Sequence, residues 1–187
     1  MLAPSYPIAT ERLLLRPFVP GDLGAFHAIQ SRSDVTRYLY YGPRTPDESR
    51  EALHRRLSDT ALAEEREWLS LAVVAQAAGV LVGEVVLHYR SVEHSLGEVG
   101  FTLHPDHGGR GYATEAAAVM LELGFDGFGL HRIIGRLDAR NDRSARVLER
   151  LGMRREAHLR ENEWVKGEWT DEIVYAVLHR EWAAGRA

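Results

Sequence analysis

Apolar and polar positions along this chain repeat with two periods, and the switches between them mark out its elements. Residues 12–17 (Arg-Leu-Leu-Leu-Arg-Pro) read as a short strand halted by Pro17. Pro20-Gly21-Asp22 opens a helix to about residue 29, with Leu23, Phe26 and Ile29 at helical spacing. A second helix has a sharper start. Thr45 precedes Pro46 and Glu48 follows, a capping box with proline at the first helical position. This helix is expected to run into region 63–65, its charged residues forming a solvated face.

Residues 68–75, 80–89 and 96–103 read as three strands joined by short connections, an antiparallel meander stopped by Pro105. Helical spacing then returns. Over 114–125 it places Ala117, Met120, Leu121 and Gly124 on one face. A strand at 132–137 precedes a helix at 141–151, whose stripe is Ser144, Val147, Leu148 and Leu151 and whose stop is Gly152. Residues 153–162 and 169–179 form a last hairpin. This order predicts an α/β (α+β) sandwich, with a mixed, mostly antiparallel sheet of about six to seven strands flanked by helices. A single domain spanning 1–187 is expected.

Composition narrows the chemistry. A chain of 187 residues, 45% hydrophobic, can bury a sizeable core. A formal net charge of −4 lacks the basic excess of a nucleic-acid binder, so no nucleic-acid partner is expected. With no cysteine, disulfides, thiolate nucleophiles and cysteine-ligated metals are excluded. Residues 1–10 lack the basic and apolar runs of a secretory leader, and no apolar stretch is long enough to span a membrane. A cytoplasmic protein without membrane partners is the expectation.

The most informative segment lies between a strand and a helix, from Leu103 to Thr114. Gly108, Gly109 and Gly111 precede the helix start. Glycines allow backbone N–H groups to converge on a ligand, and a helix N-terminus adds about half a positive charge. Together they predict a phosphate or pyrophosphate site. No lysine follows in the Walker position. The dinucleotide fingerprint fails at its third glycine, where Thr114 stands, and the loop follows a meander instead of opening a βαβ unit.

Gly109-Arg110-Gly111-Tyr112-Ala113-Thr114-Glu115-Ala116 resembles the pyrophosphate loop of the GNAT acetyltransferase superfamily. Three further blocks resemble the branch of RimJ and RimL, the ribosomal-protein N-terminal acetyltransferases. They are residues 10–17 with Asp22; residues 130–134, 141–144 and 148–153; and residues 171–175. Gly108 departs from the Gln or Arg usual at the loop start, and Met153 stands where Phe is common.

The resemblance implies an acyl-CoA-dependent N-acyltransferase, with acetyl-CoA or another short acyl-CoA such as succinyl-CoA as co-substrate. An amine attacks the thioester directly in a ternary complex. It assigns the backbone amides of Gly108, Gly109, Arg110, Gly111, Tyr112, Ala113 and Thr114 to the pyrophosphate. Phe101, Thr102 and Leu103 would pair with the pantetheine arm, and one amide there would hold the oxyanion. Asn141 and Ser144 would face the pantetheine and the sulfur, with Ser144 assisting the leaving thiolate. By position alone, Asn141 is equally a helix N-cap and Ser144 a first-turn serine.

Glu98 shares a strand face with Gly100 and Thr102, which leaves room beside its carboxylate; by position it is equally a solvent-facing carboxylate, and the resemblance of Glu98-Val99-Gly100-Phe101 to the branch's segment implies the candidate base. Glu84 is the reserve. The expected acceptor is a protein or peptide N-terminal amine, whose pKa of ~8 leaves roughly a tenth neutral at pH 7. The alternatives are a small amine (amino acid, polyamine or aminoglycoside) and a non-catalytic CoA-binding sensor. A homodimer is common in the branch. His104 and His107 lack a third ligand of clear geometry, so no metal is expected. Trp68, Trp164, Trp169 and Trp182 are expected in the core or on a substrate wall.

Overall fold

Eight strands join into one sheet in the computed structural model, which describes residues 1–185. In chain order the elements are β1 (Ile8–Ala9), β2 (Leu13–Pro17), α1 (Leu23–Gln30), α2 (Ser33–Thr36), α3 (Pro46–Arg56), β3 (Trp68–Ala75), β4 (Val80–Ser91), β5 (Leu96–Leu103), α4 (Tyr112–Glu122), β6 (Arg132–Asp138), α5 (Asp142–Arg150), β7 (Arg154–Val165), β8 (Glu168–Leu178) and α6 (His179–Ala184). The spatial order is β1-β2-β3-β4-β5-β6-β8-β7. Each neighbouring pair is antiparallel except β5 and β6, which run parallel through the α4 crossover.

The mixed, mostly antiparallel sheet matches the expected sandwich with one strand more. The extra element is β1, whose pairing of Ile8 with Leu15 and Ala9 with Leu14 is too short to show a period. The predicted stripe of α4 is buried as expected, with Ala117, Met120 and Leu121 sealed against the sheet. The helix then loosens into a π turn, Leu123–Gly127, where an α-helix to residue 125 was expected. Two clusters cover the two faces. Leu69, Leu71, Val85, Leu87, Val99 and Ile133 belong to the larger one with α4. Phe18, Phe26, Ala52, Leu53 and Ala72 form the smaller one with α1 and α3.

The Thr45–Glu48 capping box forms as predicted, with Thr45 N–H donating to Glu48 Oε2 at 2.7 Å. The helix it opens stops at Arg56, well short of region 63–65. Tertiary contacts override the helical pattern here. The Asp59 carbonyl accepts from Ser70 N at 2.8 Å, and Leu62, fully buried, forms a bridge with Leu2. The early stop brings Asp59 onto the open face of the sheet.

Candidate active site

The pairing of β5 with β6 sets the geometry. Leu96, Gly97 and Glu98 pair with Arg132, Ile133 and Ile134, and there the register ends. Both strands continue, β5 to Leu103 and β6 to Asp138, so they part beyond Glu98 and leave the β6-side edge of residues 99–103 unpaired in the sheet. A cleft of about 800 Å³ opens there.

At one end lies the glycine segment. Gly109 (φ +75°) and Gly111 (φ +80°) adopt the left-handed region that side chains avoid. Gly111 is the N-cap of α4 and supplies no side-chain cap, so the first-turn amides keep their donors for an outside acceptor. Thr114 Oγ1, in that first turn, is buried without a hydrogen-bond partner and lies on the cleft wall. Such an orphaned hydroxyl beside open amides fits a phosphate oxygen. Two residues of the predicted loop behave differently. The Gly108 N–H donates to Pro105 O at 2.8 Å, so it is occupied within the chain. Arg110 is exposed and outside the cleft lining, its carbonyl accepting from Arg12 Nη1 at 2.7 Å.

Arg12 was legible only as part of a motif, and its contacts show what it does. It pairs with Glu115 at 2.6 Å, while Thr10 Oγ1 donates to the same carboxylate, so β2 pins the back of the glycine segment. Arg143, Arg146 and Arg150 on α5 also line the cleft and went unnoticed in the sequence. Their spacing, close to one and two helical turns, was the available signal. The Asn141 side chain caps α5, accepting from Ser144 N at 3.1 Å, and both residues border the cleft.

The other end is built on one face of the central strands. Cross-strand pairing aligns Trp68, His88 and Glu98 in one row and Ser70, Val86 and Gly100 in the next. Glu98 is partly buried and accepts from Arg90 Nη1 at 3.0 Å. Burial pushes its carboxyl up; Arg90 and Arg136 oppose the shift, and Glu172 and Glu163 add to it. The reserve candidate Glu84 has a different setting. Arg56 grips both its oxygens, Nε on Oε1 and Nη2 on Oε2 at 3.1 Å, so Glu84 is one half of a buried ion pair. Arg136 is likewise committed, to Glu163 at 2.8 Å and Glu172 at 2.5 Å.

The cleft is roofed by Tyr38, Tyr40 and Tyr41, from the segment after α2. Lys166 anchors that segment from the β7–β8 turn, donating to Thr36 O at 2.8 Å and Arg37 O at 2.7 Å. Trp68 lines the cleft and stacks on His88, and Trp182 packs against the core. Trp164 and Trp169 depart from the core-or-wall expectation. They are 61% and 57% exposed and meet edge to face on the terminal hairpin. His104 Nδ1 accepts from Asp106 N–H at 3.3 Å, and no group of three or more metal-ligating side chains occurs among the described residues. No helix among them is long and apolar enough to cross a membrane.

A parallel strand pair that parts beside an uncapped glycine helix start, within a mostly antiparallel sheet, sets a free strand edge next to an anion site in one cleft. The chain belongs to the GNAT acetyltransferases: residues 12–154 match the acetyltransferase (GNAT) domain family. It is 34% identical to the uncharacterized N-acetyltransferase YnaD of Bacillus subtilis, over 94% of this chain and 98% of that protein. It is 27% identical to a spermidine N(1)-acetyltransferase of Vibrio cholerae, over 86% and 90%. The crystal structure of a GNAT-family acetyltransferase from Bacillus anthracis superposes with a TM-score of 0.83 at 35% identity, covering 93% of this chain and 99% of that one. The protein is thus an N-acetyltransferase that uses acetyl-CoA, or a similar acyl-CoA, to modify an amine.

Proposed function

We propose that the acceptor is a small polyamine, and that Glu98 takes the proton from its reacting nitrogen. The observation carrying this reading is the place of Glu98, a partly buried carboxylate at the point where β5 and β6 part. At the acceptor end of the cleft Asp59 has no ion pair among the described residues and Glu98 meets Arg90 through one oxygen only, which leaves both carboxylates suited to a cation. The likeness to a spermidine N(1)-acetyltransferase across most of both chains supports the same class. These two points move a small amine ahead of the peptide N-terminus, and with it ahead of the ribosomal branch that the motifs resembled.

Acyl-CoA supplies a thioester-activated acyl group. The chain's residues do the rest. The open amides of 112–114, the Thr114 hydroxyl and the arginines of α5 would hold the phosphates. The free edge of β5 at residues 101–103 would pair with the pantetheine arm, and a neighbouring amide would face the developing oxyanion. Glu98, in its carboxylate form, would accept the ammonium proton directly or through one water. Ser144 Oγ, in the first turn of α5 on the cleft wall, would donate to the departing thiolate.

A polyamine ammonium is well under a thousandth neutral at pH 7 if its pKa resembles that of lysine, so a base has more to contribute than for an α-amine. The direct test is thiol release from acetyl-CoA and succinyl-CoA, read with a thiol-reactive dye against polyamines and free and blocked peptides. The absence of cysteine keeps the background low. Release with polyamines and not with peptides is expected. Release with free peptides alone, lost on blocking, would overturn the polyamine reading and restore the N-terminal one.

A further inference from the structure

The acceptor end of the cleft has a second carboxylate placed apart from Glu98. Asp59 follows the early end of α3, and its Oδ2 accepts from Ser70 Oγ at 3.2 Å. No ion pair engages it among the described residues, since Arg56 is committed to Glu84 and to Ala52 O. Arg55 borders the same opening from the exposed end of α3.

Ser70, Val86 and Gly100 face one another across β3, β4 and β5. Ser70 and Gly100 are therefore two strand spacings apart, roughly 10 Å, and Glu98 lies roughly 7 Å further along β5. The floor between the two carboxylates is low and apolar. A Cβ on Gly100 would come within 3.0 Å of Val86 Cγ2, so the glycine keeps this floor flat beside the valine. Trp68 edges it. Beyond Asp59 the space continues into a side cavity of about 660 Å³, bordered by His54, Leu57 and Ser58, with Arg55, Asp59 and Trp68 shared by both spaces.

An anion, an apolar stretch and a second anion describe the complement of a molecule with two ammonium groups joined by methylenes. We propose that Asp59 determines acceptor specificity by holding a second ammonium of an α,ω-diamine or longer polyamine, whose reacting nitrogen lies at Glu98 and whose tail leaves through the side cavity. This rests on the polyamine reading above and adds to it a residue and a length requirement.

The test compares α,ω-diaminoalkanes of increasing length with the matched monoaminoalkanes, in the wild-type protein and in Asp59→Asn. The wild type should favour diamines above a threshold length, through KM. In Asp59→Asn the ratio of diamine to monoamine kcat/KM should collapse by roughly ten- to a hundredfold, the loss expected for a charged hydrogen bond. Ser70→Ala should erode the same ratio in part. Quenching of tryptophan fluorescence by diamine in the presence of CoA gives the comparison without turnover, and thermal melts verify folding. A wild type that treats diamines and monoamines alike would overturn the proposal, as would equal losses for both in Asp59→Asn. Acetylation of peptides with no effect of Asp59→Asn would sink the role of Asp59 and the polyamine reading together, leaving acyl transfer intact. Diamine turnover without a length or Asp59 dependence would sink the role of Asp59 alone.

Discussion

Glu98 pairs with Ile134, and this is the last rung of the parallel ladder between β5 and β6. The residue proposed as base therefore sits at the apex of the opening, with the free strand edge on one side and Arg136 on the other. Partial burial follows from that position, and with it the upward push on its carboxyl.

The pH dependence of Glu98→Gln follows. A base must be ionised, so kcat/KM in the wild type should fall as pH drops through the raised pKa of Glu98, above the ordinary carboxylate range. The glutamine variant should lose about 10²- to 10⁴-fold in kcat and lose this acidic limb. Rate profiles against pH in both proteins check the assignment. Stability has the opposite sign. A carboxyl whose folded pKa lies above its unfolded pKa opposes folding at neutral pH, and the penalty is relieved as pH falls through the folded value. Glu98→Gln should therefore raise Tm near pH 7 and converge with the wild type in acid.

The Arg56–Glu84 pair should behave as a structural unit. Its side chains are 19% and 8% exposed, so removing one partner strands a charge. Arg56→Met or Glu84→Gln should cost about 3 kcal/mol in urea unfolding, and the Arg56→Met/Glu84→Met double variant should recover much of it. Equal and additive losses would show that the two charges do not depend on one another.

Thr114→Val separates stability from cofactor binding. Its hydroxyl is buried and unpartnered, so the isosteric change should leave Tm unchanged or higher. If the hydroxyl meets a phosphate, KM for acetyl-CoA should rise several-fold with kcat nearly constant. Gly111→Ala should lower both properties, because φ is +80° and the new Cβ would approach Arg12 Nη2 to 3.2 Å.

Reversing the α5 arginines tests the basic wall. Arg146→Glu should raise KM for acetyl-CoA and reduce its salt dependence, since exposed charges act over a Debye length of about 8 Å at physiological salt. Unchanged KM across a salt series would remove this arginine from the binding surface.

Local chemistry made much of this protein legible in advance. The capping box of α3, the buried stripe of α4, the meander and the glycines before α4 all rest on neighbours within a few residues. Periodicity and φ preferences act over that range, so the sequence by itself determined these elements and the kind of ligand the glycines invite. Glu98, Asn141 and Ser144 are singled out by the resemblance of their motifs to the GNAT superfamily, since by position alone Asn141 and Ser144 read equally as helix-capping residues. Tertiary structure decided which carboxylates stand free. Glu84 and Glu98 are alike as sequence, but Arg56 from α3 binds one and Arg90 only partly engages the other. Asp59 lay inside an expected helix until Ser70 and the Leu2–Leu62 bridge turned the chain. Gly108 and Arg110 matched a loop whose folding turns one amide inward and one side chain out. Each outcome depends on partners tens of residues away, and a local pattern carries no record of them, because burial and charge pairing are settled only when distant strands and helices pack together.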